Sequence, residues 1–131
     1  MDVTDRWAIA DTLSLVGHVF DERRFDEIDT VFAADVVYDM SALGMPVISG
    51  VEGARRAARA MGAGGPVAHL VSNVVVVGQD GDDVAVDSKG LLLMRDGTTN
   101  AVVHHDVLRR EAAGWRIARR VVVPARAAVP A

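Results

Sequence analysis

The stretch NAVVHHDVLRREAAGWRIARRVVV, residues 100–123, decides the fold. Two runs of strand character flank EAAG, a short turn, so the stretch reads as an antiparallel β-hairpin. Side chains on a strand alternate between faces, so His104 and His105 point in opposite directions and Asp106 returns to the side of His104. One histidine is expected inside the fold and its neighbour on the outer surface.

Working outward, VAHLVSNVVVVG and DDVAVDSKGLLLMR have the same strand character, and QDGD and RDGTT supply the turns that join them into a meander with the hairpin. The N-terminal part is built differently. In VTDRWAIADTLSLVGHVF, Thr4 is placed to cap a helix whose Ile9, Leu13, Val16 and Phe20 keep to one stripe, with Trp7 and His18 together on the opposite side. RFDEIDTVFAAD repeats the helical pattern through Phe25, Ile28, Val31 and Phe32, and VVYDMS then switches to a strand. Gly44 to Gly50 is a loop by composition, and VEGARRAARAMGAGG is a third helix that ends in glycines. The expected fold class is therefore α+β, a curved antiparallel sheet with about three N-terminal helices on one side, in a single domain over residues 1–131. The tail PARAAVPA is expected to fray.

NVVVVG and RVVVP are apolar on both faces, whereas an antiparallel sheet with one face in water alternates with polar residues. Both faces are therefore expected to be covered, one by the helices and the other by a second copy of the chain, a homodimer through the sheet face.

Composition narrows the function classes. A net charge of −4 with arginines interspersed among acids argues against nucleic acid as a partner. No cysteine is present, so disulfides, thiol nucleophiles and Cys-based zinc sites are excluded, which suits a cytoplasmic protein. The N-terminus lacks a signal-peptide pattern and no apolar run reaches membrane-spanning length. Nucleotide-binding glycine loops, serine-hydrolase elbows and the HExxH zinc motif are also missing. No cofactor is expected. His18 and Glu22 have helical i, i+4 spacing but no evident third ligand, so no metal is expected either.

What remains is a scatter of polar groups in apolar elements: His18 and Asp21 on the first helix, Tyr38 on the first strand, His69 and Asn73 on the second, and His104 and Asp106 on the fourth. Strand parity puts His69, Val71 and Asn73 on one face and His104, Asp106 and Leu108 on one face of their strand. If both are concave faces, imidazole, amide and carboxylate converge on one cavity, the usual equipment for acid–base work near neutral pH. The alternatives are structural: Asp21 capping the turn or pairing with Arg23 or Arg24, Tyr38 as a core aromatic, Asp106 pairing with Arg110 or Arg120, and His105 as a structural or interfacial residue.

The segments FDEIDTVFAADVVYD, GVEGARRA, HLVSNVVV and HDVLRREAAGWRIARR, in this order and after a helix ending in Asp, resemble the nuclear transport factor 2-like superfamily, closest to its SnoaL-like branch, the polyketide cyclase and scytalone dehydratase group. The resemblance covers nearly the whole chain. It implies a cone-shaped sheet wrapped by helices around a deep apolar pocket, with frequent dimerisation through the sheet. By position, Asp21 and His69 fall where the scytalone-dehydratase branch has its catalytic carboxylate and histidine, and His104 falls near a position that contacts substrate. Met94 stands where that branch has a second catalytic histidine, and Met40 stands near the carboxylate base of ketosteroid isomerase. The Arg and paired Asp of limonene epoxide hydrolase have no match on the corresponding strands.

These readings give one expectation: a cofactor-independent cyclase, isomerase or dehydratase acting on a hydrophobic polyketide- or terpenoid-like intermediate. His69, Asp21, Tyr38, His104 and Asp106 are its candidate catalytic residues, with Asp106 orienting His104 or a neighbouring group. His18, Met40, Val71, Asn73, Leu92 and Trp7 are its candidate substrate contacts. The alternatives are a binding or assembly module of the same fold and, on a water held between Asp21 and Asp106, an epoxide hydrolase.

Overall fold

The computed structural model describes residues 1–125; the tail expected to fray lies, from Arg126 onward, outside the described residues. Helix α1 spans Val3–Asp21. It starts earlier than Thr4, because Asp2 accepts from the Asp5 backbone N–H at 2.9 Å and Asp5 accepts from that of Asp2 at 3.3 Å, a reciprocal capping box. Its apolar stripe of Ile9, Leu13, Val16 and Val19 is buried.

The second helix is a single 3-10 segment, Phe25–Thr30, and the strand begins sooner than its apolar spacing predicts: β1 runs Phe32–Asp39. Phe25 and Ile28 already bury the inner side of so short a segment, and Val31 and Phe32 then enter the core from the strand. The glycine-flanked loop contains a short strand, β2 at Val47–Ser49, paired antiparallel to β1. Helix α2 spans Val51–Met61 and ends at Gly62, whose φ of 53° is left-handed. The meander follows as expected, with β3 at Ala68–Asp80, β4 at Asp83–Leu93, β5 at Thr99–Glu111 and β6 at Gly114–Pro124.

The six strands form one curved, unclosed sheet in the order β2-β1-β6-β5-β4-β3. The neighbours along β6-β5-β4-β3 pair antiparallel, whereas β1 joins β6 in parallel. Register shifts in β3 and between β5 and β6 bend the strands around α1 and α2. No helix of the described residues is long and apolar enough to cross a membrane.

The concave face changes character along its strands. Inward residues of β4 read Val84, Val86, Ser88, Gly90 and Leu92, and those of β5, read from the same end, Leu108, Asp106, His104 and Val102. At the narrow end Val84, Val86, Leu108, Trp115 and Ile117 pack against Ile9 and Leu13 as a dry core. Toward the wide end the polar residues and a glycine take over, and the core gives way to a cavity.

Candidate active site

The cavity measures about 760 Å³ and lies between α1, α2 and the concave sheet. Asp21, Tyr38, His69 and His104 line it, as do Met40, Val71 and Leu92. Four expected members are elsewhere. Trp7 is 68% exposed on the outer side of α1, and His18 contacts Glu22 at 3.3 Å in solvent on that same helix. Asn73 shares no face with His69: it adopts φ of 56° at a bulge, which breaks the strand's alternation and leaves it exposed beside Ser72. Asp106 is buried behind the lining rather than in it.

Asp21 and His69 are joined across α1 and β3 by two bonds. The Asp21 Oδ1 lies 2.6 Å from the His69 ring Nδ1, and the Asp21 Oδ2 accepts the His69 backbone N–H at 3.0 Å. A carboxylate held on two sides fixes both its own orientation and that of the ring, and with Asp21 on Nδ1–H the neutral form of the ring has its lone pair on Nε2. The Phe20 ring packs 5.6 Å from the imidazole, centre to centre, on its apolar side. This approach of helix to strand depends on Gly17, one turn before Asp21. A methyl group there would sit 2.5 Å from the His69 carbonyl oxygen.

His104 is 9% exposed, and its partner is Ser88, whose hydroxyl lies 3.2 Å from Nδ1. Gly90, opposite Val102, makes room for the ring: a Cβ there would lie 2.8 Å from the His104 Cε1. Burial, joined by the positive charge of Arg120, pushes the His104 pKa from 6.5 down to about 3, so its imidazole is neutral.

Of the two partners expected for Asp106, His104 or a neighbouring group, it binds the neighbour, Arg120. Both its oxygens accept from Arg120, at 2.8 Å from Nε and 2.9 Å from Nη2, and the pair is sealed, with side-chain exposures of 3% for Arg120 and 0% for Asp106. A water shared between Asp21 and Asp106 has no place in this arrangement. Arg120 itself lines the cavity and faces the Tyr38 hydroxyl. Burial raises the Tyr38 pKa against the opposing pull of Arg120, so the phenol keeps its proton. The Arg120 pKa is held up by Asp106 although burial opposes its charge. In the sequence Arg120 stands out only as a partner for Asp106. Its signal was the adjacent pair Arg119 and Arg120 on one strand, of which one has to point inward.

The profile of the SnoaL-like domain family matches residues 1–121. The chain belongs to this family. It lies within the nuclear transport factor 2-like superfamily, as the order of its motifs implied. Among curated proteins nothing matches the sequence. Among solved structures, one provisionally described as an aromatic ring hydroxylase from Novosphingobium aromaticivorans is 25% identical, with a TM-score of 0.78 over 97% of this chain and 93% of that one. LinA is 21% identical, with a TM-score of 0.80 over 98% of this chain and 95% of that one. The β subunit provisionally described as belonging to an aromatic-ring-hydroxylating dioxygenase of N. aromaticivorans is 20% identical, with a TM-score of 0.72 over 98% and 93% of the two chains. The last two likenesses are of fold alone.

Proposed function

We propose that this SnoaL-like protein is a cofactor-independent acid–base enzyme, a cyclase, isomerase or dehydratase acting on a hydrophobic polyketide- or terpenoid-like molecule. The observation that carries the reading is the His69–Asp21 pair, locked by two bonds at the wall of an apolar cavity. With Asp21 on Nδ1–H, the His69 Nε2 removes a proton from carbon or oxygen, and Asp21 stabilises the imidazolium that forms. The proton then returns from Nε2 to another atom of the same molecule, or to a departing hydroxyl. No redox partner is required for either outcome.

Negative charge that develops on a substrate oxygen meets three hydrogen-bond donors prepared in advance: the Tyr38 hydroxyl, the Arg120 guanidinium and, with Ser88 donating to Nδ1, the Nε2–H of neutral His104. Met40, Val71 and Leu92 line the apolar wall that confines the substrate, which favours a folded conformer in a cyclisation. Asp106 acts through Arg120, which it keeps charged and oriented.

The test is turnover of polyketide-like and terpenoid ketones by the wild type, His69→Ala and Asp21→Asn. Removal of a positioned general base is expected to lower kcat by about 10²–10⁴. Unchanged turnover of a true substrate in both variants would refute the assignment. The second reading, a binding or assembly module, draws on the fold's likeness to a dioxygenase β subunit and on the exposed valines of β3. A ligand recovered unchanged by mass after prolonged incubation would favour it.

A further inference from the structure

Three arginines line the cavity: Arg120, Arg23 and Arg95. Arg120 is neutralised by Asp106. Arg23 and Arg95 make no ion pair among the described residues, and both are exposed, at the mouth that Met61 and Val67 also form. Arg23 follows Asp21 in a left-handed backbone conformation with φ of 54°, its guanidinium 5.0 Å from the centre of the Phe25 ring. Arg95 opens the turn after β4, with its Nε 3.5 Å from the Ala63 carbonyl oxygen. Asp21 is the one acidic side chain among the lining residues, so the cavity and its mouth carry a positive excess in a chain whose net charge is −4.

An uncharged apolar guest would leave the two guanidinium groups unpaired at the mouth, whereas an anion held there would pair with them. The inner walls suit an aromatic or otherwise bulky body, because Met40, Met45, Met61 and Met94, every methionine after Met1, line this cavity. Thioethers adapt to irregular shapes and make favourable contacts with rings.

We infer that the substrate is an amphipathic organic acid whose apolar body fills the methionine-lined cavity while its anionic group is held at the mouth by Arg23 and Arg95. This deepens the proposed function, since it takes the cavity as the substrate site. It assigns Arg23 and Arg95 to substrate selection and leaves the proton transfer to His69. The anion lies in partial solvent, so its attraction is screened by salt, unlike the buried Arg120–Asp106 pair.

Two fluorescent probes with one aromatic skeleton test this directly: 8-anilinonaphthalene-1-sulfonate, which is anionic, and N-phenyl-1-naphthylamine, which is neutral. In low salt the wild type is expected to bind the sulfonate about tenfold more tightly, equivalent to about 1.4 kcal/mol. The preference should shrink in salt, vanish in the Arg23→Gln, Arg95→Gln double variant and survive in the Arg23→Lys, Arg95→Lys variant, with the neutral probe bound equally by all three. Equal binding of both probes by the wild type, binding of neither, or a preference that persists in the glutamine variant would overturn the inference. Because the readout is equilibrium binding, Asp21→Asn and His69→Ala should keep the preference. Loss of the acid–base reading and loss of the anion site are therefore distinguishable.

Discussion

Asp21 occupies the last position of α1, and there it reaches both the ring and the backbone N–H of His69, 48 residues further along the chain. That double contact holds the His69 ring in one orientation, which is the ground for proposing it as the base. His104, the other cavity histidine, is kept from acting that way by burial and by Arg120. Its lowered pKa has a consequence for stability. The unfolded chain takes up a proton near pH 6.5 and the folded one only near pH 3, so the neutral ring costs nothing above 6.5 and acidification below it favours the unfolded state. In denaturant titrations the wild type should lose up to about 1.4 kcal/mol per pH unit from this residue between those values, and His104→Gln should show a shallower acid slope. Equal slopes would place His104 in a more solvated setting. At this scale strand alternation put His104 inside and His105 outside, and so they lie: His105 pairs with Asp87 at 2.7 Å on the outer face. Alternation failed for Asn73 because a bulge intervenes, and helical spacing could not tell that the side of α1 bearing Trp7 and His18 faces solvent.

The elements were legible wherever long apolar periodicity dominates. Helices α1 and α2 and strands β3 to β6 fall where the pattern puts them. The second helix shrank to a 3-10 turn because Phe25, Ile28, Val31 and Phe32 satisfy a helical spacing and a turn-then-strand equally well, and β1 gains hydrogen bonds along β6 by starting early. Strand β2 was hidden in three residues among glycines. The contact of α1 with β3 is the one on which the site depends, and Gly17 sets its closeness. Gly17→Ala should cost about 1–3 kcal/mol in chemical denaturation and shift the His69 ring resonances, since the added methyl group meets a backbone oxygen that has little freedom to retreat. A variant with wild-type stability and an unshifted His69 would show that helix and strand are less tightly juxtaposed.

On the scale of the whole molecule, the helices cover only the concave face. Across the outer face Val75 and Leu91 remain 56% and 42% exposed. Of the apolar runs that suggested a covered sheet, NVVVVG is exposed in the isolated chain at Val74, Val75 and Val77, whereas Val122 of RVVVP is buried and Val121 and Val123 are half-buried. The proposed partner is a second copy packed on the exposed face. Light scattering at micromolar concentration should give twice the chain mass, falling to one chain mass in the Val75→Lys, Leu91→Lys variant; a single-chain mass for the wild type would remove the dimer. The cone was readable from motif order, but its cavity chemistry was only partly so. The register that brings Arg120 to Asp106 and Tyr38 spans three strands and a bulge, which no local pattern encodes.

The central proposal is that His69 is the base, and deuterium uptake tests it most directly. A cavity-binding ketone with an acidic C–H would be incubated in D2O with the wild type and with His69→Ala, and its mass followed. Incorporation is expected to be about 10²–10⁴ times faster with the wild type than with the variant, and both should retain binding. A ketone that binds both proteins and exchanges at the same rate in each would contradict it.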